Sequence, residues 1–487
     1  MPHMEEVQVG VQSIERYREL LGDERFRELM TLADDIRRRL DGRVVWNVNS
    51  TARGGGVAEM LRPMLAYVRS MEIDARWMVI SGNEEFFRFT KRIHHSLHGA
   101  SGDGGPIDES RRQIYERVME QNAHELFTLV EPGDVVLFHD PQTAGLLPHA
   151  RRAGVTSIWR CHIGADVANE ETRKGWDFLA PYLRCADRTI FSREEYIPSQ
   201  VDRKKAVIIP PAIDAFSPKN QDMDDETVRA ILVYTGIVEG PPGPGLRLFH
   251  REDGSPGRVD RRADIIRMGR APTWDTPLVV QVSRWDTLKD HLGVMEAFAE
   301  LANGRAPAEA ELVLVGPNVH AVADDPEGAE VLSQMEVAWR ALPHGTRNMV
   351  NLVCLPMADA EENAAIVNAL QRHAAIVVQK SLKEGFGLTV TEAMWKGRPV
   401  IASKVGGIQD QVRHEQEGLL LDDPGDRDGF AEHVRRLLED LGFADELGQR
   451  ARERVREHYL VPRTLLQYAE VIRDLDEEGK HVGERPD

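Results

Sequence analysis

Cysteine is nearly missing from this chain, which holds only Cys161, Cys185 and Cys354 among 487 residues. Their number is odd, and their spacing matches neither a zinc site nor a disulfide framework, which fits a reducing compartment. Long apolar runs are missing too, so no stretch reads as a membrane-crossing helix and no membrane partner is expected. The opening residues, Met1-Pro2-His3-Met4-Glu5-Glu6, lack the basic flank and apolar core of a secretory signal. The expectation is a soluble, cytoplasmic enzyme. Cations are in deficit, with Lys+Arg 61 against Asp+Glu 80 and a net charge of −19. Such a surface repels phosphate backbones, so no nucleic-acid partner is expected, and an anionic small ligand would need locally clustered cations.

What is present is a doubled pattern. The length exceeds what one core usually supports, so two domains are the default. Short apolar runs alternate with helical stretches: Val44-Val45-Trp46, Trp77–Ile80, Val135–Phe138, Thr156–Trp159 and Ala206–Ile209. A charged amphipathic stretch from about Val11 to Leu40 precedes them and predicts outer helices. A second series runs through Leu278–Val282, Glu311–Val315, Val350–Val353, Ala375–Val378 and Pro399–Ala402, with helices over Glu327–Leu342 and Glu361–His373 between strands. Strands alternating with helices predict parallel sheets covered on both faces. Between the series, Pro241-Pro242-Gly243-Pro244-Gly245 and Asp253-Gly254-Ser255-Pro256-Gly257 sit among charges and read as a linker with a solvated insertion. The expected fold class is α/β: two Rossmann-like doubly wound domains facing a cleft. Residues 1–235 form the first, 236–276 the linker, 277–460 the second, and 461–487 a C-terminal helix returning to the first.

The residues that carry chemistry cluster where strands end. Glu384 precedes the turn Gly385-Phe386-Gly387, and Glu392 stands eight positions on, inside a helix that starts near Leu388. Ligands of open α/β sheets bind at the carboxyl ends of strands. Two acids facing one crevice suit a polyhydroxylated ligand, because each carboxylate accepts two hydroxyl hydrogen bonds. Arg284 and Lys289 follow the second series' first strand and form a fork and a point charge suited to a diphosphate. The competing reading pairs them with Asp286 and Asp290 on the surface. In the first series, the first strand ends in Asn47-Val48-Asn49-Ser50-Thr51-Ala52-Arg53-Gly54-Gly55-Gly56-Val57-Ala58-Glu59, whose glycines offer backbone N–H groups to a phosphate or sugar. It is not the Gly-x-Gly-x-x-Gly dinucleotide fingerprint, and a flexible turn would read the same way. His139-Asp140 and His162 end two further strands and point a pair of histidines at one crevice, with His162 a donor to a sugar hydroxyl. Asp214 reads as a turn cap, and Val405-Gly406-Gly407-Ile408 as a second glycine-rich strand end lining a donor pocket.

Together these residues resemble the retaining glycosyltransferases with two Rossmann-like domains (the GT-B type), whose donor signature is Ser-Arg…Lys followed by Glu-Gly-Phe-Gly…Glu. A narrower pattern is similar to the trehalose glycosyltransferring synthases. It consists of Asn49-Ser50-Thr51…Gly54–Glu59, Ala75-Arg76-Trp77, Trp159-Arg160-Cys161-His162 and Gln379-Lys380-Ser381…Glu384–Gly397. The resemblance implies NDP-glucose as donor and glucose as acceptor, joined reversibly with retention to α,α-trehalose. It implies Arg284 and Lys289 on the diphosphate, Glu384 on the donor hexose, Glu392 on the ribose, and His162 near the reacting sugar. Gly55, Gly56, Gly385, Phe386, Gly387 and Leu388 line the donor side, and Asn49, Asp140 and His162 the acceptor side. No tightly bound cofactor and no metal site is implied, although a magnesium ion on the nucleotide is compatible with it, as is a homodimer. Trehalose phosphorylases share most of these motifs, so phosphorolysis is the alternative, followed by a glucosyltransferase with another acceptor. The nucleotide base is left open.

Overall fold

In the computed structural model, residues 3–52, 56–241, 243–305, 310–319 and 326–481 are described, with backbone alone at 303–305, 326, 480 and 481. The chain divides into two compact units: Met1–Ala212 with the segment from Val461, and Ile213–Leu460.

The first unit is built on β1 (Glu5–Glu6), β2 (Val45–Asn49), β3 (Ala75–Val79), β4 (Val135–His139), β5 (Thr156–Arg160), β6 (Arg188–Phe191) and β7 (Ala206–Ile208). They form one sheet in the order β1-β3-β2-β4-β5-β6-β7. β1 runs antiparallel to β3 and the remaining pairs are parallel. The central strands are buried along their length because helices cover both faces, which is why they read as unbroken apolar runs. Trp46, Trp77 and Trp159 are fully buried in this unit. Helix Asp23–Leu40 buries Phe26, Leu29, Ala33, Ile36 and Leu40 at helical spacing. Helix Val461–His481 closes over the same layer. Arg39 reaches Asp476 at 3.3 Å and Glu477 at 2.9 Å.

The second unit contains β8 (Leu248–His250), β9 (Pro256–Arg258), β10 (Asp264–Ile266), β11 (Leu278–Val282), β12 (Glu311–Pro317), β13 (Val350–Leu355), β14 (Ile376–Gln379), β15 (Val400–Ser403) and β16 (Leu419–Leu421). Its sheet runs β10-β13-β12-β11-β14-β15-β16, parallel except for β10 on β13. The six parallel strands therefore follow the doubly wound order, reversing between β11 and β14.

Two expectations need correction. The chain divides after Ala212 rather than at 235, and the helix Asp225–Thr235 lies in the second unit. The segment 236–276 is also more than a solvated linker. β8 and β9 form a hairpin, and β10 completes the edge of the second sheet. The reason lies in helix Ala360–His373. Glu362, only 1% exposed, accepts the backbone N–H groups of Asp260 and Arg261 at 2.7 Å each and pairs with the Arg261 guanidinium. Arg251 bridges Asp359 at 2.7 Å and Glu361 at 2.6 Å. The charges that looked like a solvated run are ion-pair partners.

Candidate active site

The reversal of strand order in the second sheet falls between β11 and β14, and the residues just past their ends meet there. After β11 the chain makes a turn over Thr287–Lys289, capped by Asp286, whose carboxylate accepts the Leu288 N–H at 2.8 Å. Lys289 Nζ then donates to Glu384 Oε1 at 2.5 Å, beyond β14. The same oxygen accepts Gln379 Nε2 at 3.0 Å and Ser381 Oγ at 2.9 Å. Lys289 is 17% and Glu384 8% exposed, so a largely buried cation and acid sit side by side at the switch point. Lys380, itself buried, pairs with Asp290. Lys289 is thus taken by Glu384 and Asp290 by Lys380, while the Arg284 guanidinium, 67% exposed, pairs with Asp286 at 3.0 Å. The structure brings Lys289 and Glu384 together and leaves Arg284 turned to solvent.

The turn that carries Glu384 is held from below. Gly387 adopts a left-handed φ of 84° as it opens helix Leu388–Trp395. Gly406 has φ 51°, and a Cβ there would lie 2.1 Å from the Glu384 carbonyl oxygen. The Gly406–Gly407 backbone therefore bears directly on the turn, with Gly407 N–H donating to Gly385 O at 3.0 Å. Phe386 is buried against Tyr459. Gln411 ties the pieces together, donating to Phe386 O at 2.5 Å and accepting from Thr391 Oγ1 at 2.6 Å. Val405–Ile408, expected to line a pocket, is seen bracing this turn.

Glu392 lies in that same helix, 7% exposed, with Lys219 Nζ 3.4 Å from its carboxylate. Lys396 Nζ donates to the Glu392 carbonyl at 3.0 Å and to Asn220 Oδ1 at 3.2 Å. Burial pushes the Lys396 ammonium down to about 7, against the opposing pull of Glu392. Glu384 and Glu392 hold different cations, Lys289 and Lys219. Asp214 caps its turn, accepting Phe216 N–H at 3.0 Å.

In the first unit, strand order reverses between β2 and β4. His139, at the end of β4, places Nε2 3.0 Å from Asn47 Oδ1 and Nδ1 3.1 Å from His162 Nε2. The two imidazoles stack at 5.5 Å. Asp140 takes a left-handed φ of 65°, and its carboxylate accepts the His162 N–H at 2.8 Å. Burial raises Asp140 to about 7 and lowers His139 to about 3, and it lowers His162 as well. With Asn47 Oδ1 facing the ring, His139 carries its proton on Nε2 and accepts from His162 Nε2–H. A neutral relay then orients His162. Asn49 is spent within the fold: its Oδ1 accepts Trp77 Nε1–H at 2.8 Å and its Nδ2 donates to Thr51 O at 2.8 Å. Gly56 begins helix Gly56–Ser70, while Gly55 lies outside the described residues.

Several contributors carried no motif of their own. Lys219 and Gln411 are half-buried and buried polar groups known only by what they touch, and Asn47 stood only as the first residue of the strand-end run. Gln379, the last residue of β14, and Ser381 stood in the Gln379-Lys380-Ser381 run of the narrower pattern, and the structure makes them partners of Glu384. Among the described residues, no group of three or more His, Cys, Asp or Glu is arranged to hold a metal ion, and no helix is long and apolar enough to cross a membrane.

This fold with this switch-point cluster is that of a glycosyltransferase with two Rossmann-like domains. Residues 266–454 match the family described as "Glycosyl transferases group 1", and residues 47–198 match "Trehalose synthase, N-terminal domain". The trehalose synthase of Pyrococcus horikoshii is 33% identical over 98% of this chain and 99% of its own. The chain belongs to the trehalose synthase family. A trehalose phosphorylase of Pleurotus pulmonarius is 26% identical over 91% of this chain, which spans 58% of that protein. The solved structure of Anabaena Alr3699/HepE in complex with UDP and glucose shares the fold, with a TM-score of 0.57 at 14% identity over 89% of this chain and all of that one (100%).

Proposed function

We propose that this chain makes α,α-trehalose reversibly from NDP-glucose and glucose, retaining the donor's anomeric configuration. The observation that carries the reading is the Lys289–Glu384 pair at the switch point of the second sheet. A diphosphate needs a cation there, and a hexose needs an acceptor for its hydroxyls, which is what the ammonium and the carboxylate supply. Arg284 turns from Asp286 to the diphosphate, Glu384 takes donor-hexose hydroxyls, and Glu392 takes the ribose hydroxyls from Lys219. Gly385, Phe386, Gly387 and Leu388 present the turn to the donor. In the first unit, His162 and Asp140 take sugar hydroxyls.

No carboxylate stands as a covalent nucleophile in this reading. The acceptor oxygen attacks the anomeric carbon on the face the diphosphate leaves. The bond from that carbon to the diphosphate oxygen breaks, and the departing oxygen takes the acceptor's proton. Arg284 and Lys289 stabilise the charge that develops on the leaving group.

The likeness to a trehalose phosphorylase supports a second reading, in which phosphate replaces the nucleotide. Purified protein incubated with trehalose and either NDP or phosphate separates the two. Release of glucose with NDP alone is the expected result, and release with phosphate alone overturns the proposal. The forward reaction with UDP-, ADP- and GDP-glucose, followed by NMR of the product's anomeric protons, tests the base and the retention. A screen of other acceptors shows whether glucose is the preferred one.

A further inference from the structure

We propose that the Ser283 hydroxyl is a third donor to the sugar-nucleotide diphosphate, beside Arg284 and Lys289, and that Gln281 and His291 fix it in that role. The inference rests on the function proposed above and adds a ligand-contacting residue to it.

A hydroxyl has one proton to give and two lone pairs to fill. Ser283 Oγ lies 3.3 Å from Gln281 Nε2, an amide nitrogen that can only donate and that also donates to Lys289 O at 2.8 Å. His291 Nε2 lies 3.0 Å from the same oxygen. The other ring nitrogen, His291 Nδ1, is buried without a hydrogen-bond partner among the described residues. Orphaned buried N–H groups are rarer than under-satisfied acceptors, so the proton sits on Nε2 and Nδ1 is bare. Burial also holds the ring neutral, lowering it to about 3, so it carries one proton rather than two. Both lone pairs of Ser283 Oγ are thereby filled, and its proton must point away from Gln281 and His291.

The ring is held by packing. His291 is 2% exposed and lies 4.8 Å from the Trp285 ring, which is itself anchored by Nε1–H to Pro317 O at 3.0 Å. Gln281 is completely buried, whereas Ser283 is partly exposed. It stands one residue beyond β11 and directly before Arg284. A donor with its proton directed outward, at the strand end where the diphosphate is proposed to lie, is matched to a phosphate oxygen.

The test is calorimetric titration of the full-length protein with NDP and, separately, with the nucleoside lacking phosphates. Ser283→Ala is expected to weaken NDP binding by about ten- to a hundredfold, the range for a hydrogen bond to a charged group, and to leave nucleoside binding unchanged. His291→Phe keeps an aromatic ring against Trp285 but removes the donor, and is expected to weaken NDP binding selectively by a smaller factor. Unchanged NDP affinity in a folded Ser283→Ala protein overturns the inference, as does an equal loss for nucleoside and NDP. Failure of the wild-type protein to bind any NDP overturns the proposed function and this inference with it, an outcome distinct from a silent variant of a binding protein.

Discussion

Lys289 and Glu384 neutralise each other across 95 residues of sequence, with Nζ 2.5 Å from Oε1. Each satisfies the other, and in the proposed reaction a diphosphate on the lysine would free the acid for hydroxyl groups. Lys289→Ala should lower kcat by roughly 10²–10³, the usual loss when one well-placed charge-stabilising group is removed. It should also lower Tm, because it strips a buried carboxylate of its cation. Adding Glu384→Gln should restore Tm without restoring turnover. Recovery of turnover in the double variant would contradict the assignment.

Arg284 offers the opposite signature. It is 67% exposed and holds only a surface pair with Asp286 among the contacts described for it, so its removal should leave the thermal transition unmoved. Arg284→Ala should still lose roughly 10²–10³ in turnover if the guanidinium reaches the leaving group. Near-normal activity would remove Arg284 from the donor site.

Gly406→Ala tests the brace beneath the donor turn. The left-handed φ costs a non-glycine residue about 1–2 kcal/mol, and the new methyl meets backbone rather than a side chain that could yield. Its contact would be the Glu384 carbonyl at 2.1 Å, so the turn must shift. The expected outcome is a folded protein of lower Tm with a raised KM for NDP-glucose, read by steady-state kinetics.

Asp140 sets a pH dependence whose sign follows from burial. Its carboxyl is raised from the ordinary 3.8 to about 7, because desolvation outweighs the His162 N–H and the Arg160 charge. Between those values the folded protein binds a proton that the unfolded chain has released. The group's contribution is therefore complete below about 4 and lost as pH rises through 7. His139 acts in reverse: lowered to about 3, it erodes stability as pH falls below about 6.5. Asp140→Asn keeps an acceptor for the His162 N–H and removes the titration. The Tm difference between Asp140→Asn and wild type should therefore grow in the variant's favour from about pH 5 to pH 8. A constant difference would show that Asp140 titrates normally.

Glu362→Ala should destabilise the protein by about 2–4 kcal/mol, because it leaves two backbone N–H groups and a guanidinium without their acceptor. KM for both substrates should hold, since the residue serves the edge strand rather than the donor turn. Denaturant melts and kinetics on the same preparation check both halves.

The strands that carry the sites were legible because parallel strands buried on both faces leave unbroken apolar runs, as in Val135–Phe138 and Leu278–Val282. β6 and β10 escaped notice for the opposite reason. Arg188-Thr189-Ile190-Phe191 is half polar, and Asp264-Ile265-Ile266 is short and set among arginines, of which Arg261 finds its partner in Glu362 of a distant helix. Lys289 and Glu384 stood out through their motifs, yet their mutual contact is a product of strand order, which local sequence does not state. Asn49 shows the converse: a strand-end amide that looks available is consumed by Trp77 and Thr51.

The helix Val461–His481 imposes an order on the chain's own birth. It belongs to the unit begun by the N-terminal residues, and its Leu465, Tyr468 and Ile472 line an apolar space with Leu29, Ile36 and Met64. On the ribosome, the first sheet emerges early but lacks this cover until the last helix has been made. The second unit, contiguous from Ile213 to Leu460, can close while the first still waits. A released chain truncated after Leu460 should therefore carry a protease-resistant second half and a first half that chaperones must shield, read by limited proteolysis.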